Sequence, residues 1–335
     1  MNKFKYFLLL GLVLQVVLIS CNSDSGQDTQ AEPVNRPRAT VPTFNVDSSY
    51  SYLEKQLDFG FRVPGTESHQ ATKDWLVEKL ESYGLKVMVQ NFTATIYTGE
   101  KMPGYNIIAQ HNPEMDRRVA IAAHWDTRFI ADKDPVEENQ DDPIMGADDG
   151  ASGVAAILEI ARQVTQNPID MGVDFILFDV EDQGNMNGET DTWALGSQYW
   201  AKNLVPKNYD ADFGILLDMI AAKGARFGKE GYSMNYAPEV MNKVWKLAQN
   251  MGYSDLFQDY RTGGIADDHL YMNQAGIPTI DIISIPRPDN RESSFGTYHH
   301  TLDDDIDIIE PRNLKVVGQV VLAVLYRHSD GTLGL

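Results

Sequence analysis

Histidine and carboxylate side chains recur in short clusters along the chain: His124-Trp125-Asp126, Asp148-Asp149, Glu181-Asp182, Asp218, Asp267-Asp268-His269 and His299-His300-Thr301. Taken singly, each has an ordinary explanation. Asp149, just before a helical stretch, reads as an N-cap. Glu181-Asp182 reads as a solvated strand end, and His300-Thr301 as a surface turn. Pointing them all at one crevice is costly unless a cation neutralises the carboxylates. A metal centre built from His and carboxylate is therefore the economical explanation. Other chemistries lack their residues. There is no HExxH, no P-loop and no dinucleotide-binding glycine pattern. Ser152 lies in Gly-Ala-Ser-Gly, which does not fit a nucleophile elbow.

These clusters need elements that deliver them to one place. Val173 to Val180 and Asp212 to Ile220 are nearly continuous apolar runs, as expected of strands covered on both faces. Lys86 to Tyr97, Tyr105 to Ala109, Arg118 to Ala123 and Ile277 to Ser284 read as further strands. Helical spacing marks Ser68 to Tyr83, Ala151 to Val164, Trp193 to Leu204, Pro238 to Gly252 and Pro311 to Arg327. Helices alternating with apolar strands predict an α/β fold: a three-layer α/β/α sandwich on a mixed, largely parallel sheet. In such sheets ligands bind beyond the carboxyl ends of the strands, where most of the clusters fall.

Composition narrows the function. The chain has 335 residues, 48 acidic against 28 basic side chains, and one cysteine. The net charge of −20 removes the basic footprint of a nucleic-acid binder. One cysteine excludes an intramolecular disulfide and a thiolate zinc cluster. Cys21 itself follows Lys3, Lys5 and the apolar run Phe7 to Ile19, and the ending Leu18-Ile19-Ser20-Cys21 resembles a bacterial lipobox. That resemblance implies a signal over residues 1–20, cleavage before Cys21 and lipidation of its thiol. Residues 21–43 then form a flexible tether, and residues 44–335 a single catalytic domain anchored in the bacterial cell envelope, with the outer membrane favoured. The alternative is an uncleaved anchor or an ordinary signal. A monomer is the default expectation.

The set His124-Trp125-Asp126-Thr127, Gly146 to Gly153, Glu181-Asp182, Asp218 and His300-Thr301 resembles the M28 zinc aminopeptidase family, and within it the bacterial animal-type glutaminyl cyclases. The resemblance runs from about Asp47 to the C-terminus. It implies one zinc ion held by Asp149, Asp182 and His300, with Glu181 as general base and acid. His124 and Asp218 match groups that complete a second metal site in the two-zinc aminopeptidases, which is the competing activity. Asp267, in the doublet Asp267-Asp268-His269, is expected to join Glu181 and Asp218 in a hydrogen-bonded acid network. Trp193 and His299 are expected at the substrate pocket. Asp182 is shorter than the family's usual Glu, Ala266 stands where vertebrate cyclases have Gln, and His299 where they have Trp. The implied substrate is a peptide or protein with N-terminal glutamine. The acidic stretches Asp132 to Asp149 and Asp303 to Asp307 would either attract its cationic end or lie as solvated loops.

Overall fold

The computed structural model describes residues 38–286 and 295–335. The expected signal, Cys21 and most of the expected tether lie outside the described residues. Pro37–Leu335 forms one compact unit.

The described chain runs α1 (Val46–Asp58), α2 (Glu67–Ser82), β1 (Lys86–Thr95), β2 (Lys101–His111), β3 (Arg118–His124), α3 (Ala151–Gln166), β4 (Gly172–Phe178), α4 (Leu195–Lys202), β5 (Phe213–Asp218), β6 (Phe227–Lys229), α5 (Gly231–Tyr236), α6 (Pro238–Asn250), β7 (Phe257–Arg261), α7 (Asp268–Gln274), β8 (Thr279–Ile283) and α8 (Pro311–Ser329). A six-stranded sheet has the order β1-β2-β4-β3-β5-β8. β4, β3, β5 and β8 are parallel, while β1 and β2 add an antiparallel edge. This is the expected mixed α/β sandwich.

The strands are apolar throughout because both faces are covered. Val119, Ile121 and Ala123 of β3 pack with α3 and α8 in the larger core, whereas Ala120 and Ala122 meet Trp200 of α4 and Met272 of α7 on the other face. The period-two alternation of a strand divides these side chains between two layers.

The structure corrects several expectations. Residues 38–43, expected as the end of the tether, pack onto α8: the Ala39 amide donates to Asp330 and Gln319 donates to the Pro42 carbonyl. Trp193 does not open a helix. It follows a short 3-10 turn in extended conformation, and α4 begins at Leu195. α1, the short helices α5 and α7, and the β6–β7 pair carried too few apolar residues to announce themselves. Asp149 is not an N-cap either, since Gly150 occupies that position at φ 96° and no side chain caps α3.

α3 approaches the sheet closely. A Cβ at Gly153 would lie 2.2 Å from the Leu217 carbonyl oxygen and 2.9 Å from Ala123 Cβ. This contact brings the turn bearing Asp149 beside the ends of β3 and β5. We expect Gly153→Ala to destabilise the fold by about 1–3 kcal/mol through overpacking, read as a lower urea midpoint with an unchanged m-value.

Candidate metal centre and active site

The carboxyl ends of β3, β4 and β5 deliver His124, Glu181-Asp182 and Asp218 to one crevice. The turn before α3 adds Asp149, and the turn before α8 adds His299 and His300. All of these side chains are buried. His300 Nε2 lies 3.0 Å from Asp182 Oδ1 and 3.8 Å from Asp149 Oδ2. His124 Nε2 lies 3.0 Å from Asp149 Oδ1 and 3.3 Å from Asp218 Oδ1. Asp149 is thus shared between two histidine-carboxylate groups. Asp149, His299 and His300 form one set with converging donor atoms, and His124, Asp149 and Asp218 form another.

The turns carrying these groups are tied together by other buried acids. Asp126 accepts from the main-chain amides of Glu181 (3.0 Å) and Asp182 (3.3 Å). Asp304 accepts from the amides of Asp148 (2.8 Å) and Asp149 (3.1 Å). Asp148 accepts from the amides of Ala221 and Ala222, just beyond Asp218, and from the Tyr298 hydroxyl, just before His299. Arg62, fully buried, donates to the carbonyls of Trp125, Met145 and Gly146. Asp304 and Asp148 sat within charge-rich sequence, and their structural role was not read from it. Asp304, buried between the exposed Asp303 and the half-buried Asp305, shows that part of the expected steering run is internal scaffolding.

Backbone strain clusters at the same place. Val180, Met219 and His300 have φ of 56°, 46° and 57°. The left-handed region is unusual for any non-glycine residue and an outlier for a β-branched one, costing on the order of 1–3 kcal/mol each. Val180 immediately precedes Glu181, and Met219 immediately follows Asp218.

Burial pushes the Glu181 carboxyl well above the ordinary range, and the charges of Asp267, Asp182 and Asp268 add to this. Burial also raises Asp218 and Asp182. For His124, burial disfavours the charged form, but hydrogen bonds to Asp126, Asp149 and Asp218 prevail and raise its pKa. The charge of Asp267 acts on Glu181 and Asp218, but Asp267 makes no hydrogen bond to either among the described residues. It caps α7 at the Asp268 amide, and its other oxygen is buried without a hydrogen-bond partner among the described residues. Asp281 lies mid-strand in an apolar run and gave no sequence signal.

Asp149, Glu181, Asp182, Asp218, Asp267 and His300 line a cavity of about 240 Å³, with Trp193, His299 and Met219 also in its wall. Trp193 stacks on His300 at 5.7 Å, and His300 on His299 at 3.7 Å. Gly184 makes the Trp193 position possible, because a Cβ there would fall 2.0 Å from the indole. Arg128 holds the other side of the turn: it pairs with Asp132, donates to the carbonyls of Asp182 and Gly184, and lies 4.9 Å from the Trp193 ring.

Comparison with known proteins decides the family. The sequence matches the family described as peptidase family M28 over residues 106–325. The chain belongs to peptidase family M28. Among solved structures, this M28 protein is similar to a Bacteroides thetaiotaomicron glutaminyl cyclase bound to N-acetylhistamine, with 46% identity, 86% of this chain and 99% of that one covered, and a TM-score of 0.82. It is also similar to a structure described as a leucine aminopeptidase precursor from the same species, at 45% identity over 86% of this chain and 98% of that one, TM-score 0.82. A curated relative, the Drosophila melanogaster glutaminyl-peptide cyclotransferase, is 24% identical over 281 residues, covering 74% of this chain and 72% of its own. Family membership implies a metal, and the residues fit one. Hard oxygen and imidazole nitrogen donors converge, and among the described residues the buried Asp182 Oδ2 has no hydrogen-bond partner.

Asp304 offers a test of the scaffold. Asp304→Asn removes one of two acceptor oxygens from the Asp148–Asp149 turn without touching the donor set. We expect about 10–100-fold weaker zinc affinity, measured by competition with a chromogenic chelator.

Proposed function

We propose that the protein is a zinc-assisted glutaminyl-peptide cyclotransferase that converts N-terminal glutamine of peptides and proteins to pyroglutamate and releases ammonia. The observation that carries this reading is the likeness, along nearly its whole described length, to solved glutaminyl cyclases. The site is compatible with it. A buried carboxyl, Glu181, shares a cavity with a His-carboxylate cluster and an indole face.

One zinc ion would be held by Asp149, Asp182 and His300, where it supplies a Lewis acid for the γ-carbonyl of the substrate. The chain's own residues do the rest. The acids around Glu181 take the cationic α-amino end. Glu181, its pKa lifted by burial and by Asp267 and Asp182, accepts a proton from the α-ammonium. The freed amine attacks the γ-carbonyl carbon and a C–N bond forms. Glu181 passes its proton to the leaving nitrogen, the γ C–N bond breaks to release ammonia, and Glu181 then takes the extra proton left on the new ring nitrogen and gives it to solvent. Asp218 and Asp267 keep Glu181 in a state from which a proton can move both ways. Trp193 provides a flat wall for the glutaminyl side chain, and His299 flanks it. Cys21, as a lipid anchor, would hold this chemistry at the cell envelope.

A second reading rests on the His124, Asp149 and Asp218 set together with the neighbour described as an aminopeptidase precursor. Two ions there would make a peptidase in which Glu181 activates water.

Incubation of the purified protein with a Gln-initiated peptide separates the two. We expect ammonia release, a peptide of unchanged residue count and loss of activity on zinc chelation. Free glutamine and a shortened peptide would establish the peptidase instead. Glu181→Gln should keep zinc and lower kcat by about 10²–10⁴-fold; retained turnover would remove Glu181 from the proton-transfer role.

A further inference from the structure

Lys133 is the one ammonium or guanidinium group among the described residues lining the cavity, and the other charged walls include Asp149, Glu181, Asp182, Asp218 and Asp267. Its Nζ lies 2.7 Å from His299 Nδ1. An ammonium only donates, so Nδ1 accepts and the neutral imidazole carries its proton on Nε2. Among the described residues the Lys133 side chain has no other hydrogen bond and no carboxylate within ion-pair distance. Two of its three N–H groups therefore have no acceptor in these residues. A partly desolvated cation in that state favours an anionic ligand.

Position says which part of a substrate it meets. The ring ladder runs from Trp193 to His300 at 5.7 Å and on to His299 at 3.7 Å, and the Lys133 ammonium meets that last ring at Nδ1. An extended peptide advances about 3.3–3.6 Å per residue. With the first side chain against Trp193 and the α-ammonium among the acids, one such advance together with the length of an acidic side chain carries a carboxylate at the second residue toward His299 and Lys133. Lys133 also repels an α-ammonium from that end of the cavity, which fixes the direction in which the peptide lies.

We infer that Lys133 is a specificity-determining residue whose ammonium group forms a subsite for an acidic side chain at the second position of the substrate. This rests on the cyclase reading only for the identity of the first residue. The interaction is a charge-assisted hydrogen bond inside a partly desolvated pocket, formed in the bound ground state.

The test uses binding without turnover. In a Glu181→Gln background, Gln-Glu-Phe-amide should bind about tenfold more tightly than Gln-Gln-Phe-amide. Adding K133M should bring the two within about twofold, and K133R should retain most of the preference. Melting temperature and zinc content report whether each variant is intact. An equal preference in the proteins with and without K133M overturns the inference, as does the absence of any preference in the Glu181→Gln protein. Ammonia release from the same peptides by the wild type judges the cyclase reading separately, because the binding ratio does not depend on what the enzyme does to the peptide.

Discussion

Carboxylates accepting hydrogen bonds from main-chain amides hold this site together. Asp126 fixes the turn at Glu181-Asp182, Asp304 fixes the turn at Asp148-Asp149, and Asp148 in turn fixes the segment after Asp218 and the hydroxyl of Tyr298. Each donor-bearing turn is pinned by an acid from another part of the chain. Hydrogen bonds to charged groups contribute about 1.5–3 kcal/mol, enough to hold strained residues such as Val180 and His300 at left-handed φ. The cost is that many negative charges lie out of water at one end of the sheet. Arg62, buried among three carbonyls and acted on by the charges of Asp304, Asp126 and Asp149, offsets part of it. A divalent cation held, as proposed, by Asp149, Asp182 and His300 would offset more.

The same crowding gives the site its chemistry. A carboxyl surrounded by ionised carboxylates and removed from water holds its proton more tightly than a surface acid. Glu181 and Asp218 are both raised in this way. Scaffold and proposed base are thus both carboxylates. Their roles are set by what each oxygen faces: main-chain amides for Asp126 and Asp304, an open cavity for Glu181.

Most of the fold was legible because β3, β4 and β5 are apolar on both faces, and the donor residues sit where such strands stop. His124, Glu181, Asp182 and Asp218 could be read for that reason, whereas His300, in a turn well beyond β8, was legible only through its resemblance to a family motif. Asp304, Asp148 and Asp281 could not. A buried Asp that accepts from distant amides has the same local sequence as a solvated one, and Asp303 and Asp304 differ only in what the fold places over them. Lys133 was hidden inside an acidic run, since its meaning depends on His299, far along the chain. Trp193 was placed in a helix because its neighbours have helical spacing; its extended backbone follows from packing on Gly184, a contact made after folding.

We propose that one cation, held by Asp149, Asp182 and His300, organises this acid-rich crevice. Anomalous diffraction at the zinc absorption edge from crystals grown with zinc tests it directly. We expect a single strong peak bounded by those three side chains, with His124 facing Asp149 and Asp218 and holding no ion. A second peak of comparable height between His124, Asp149 and Asp218, or a lone peak there, would contradict it.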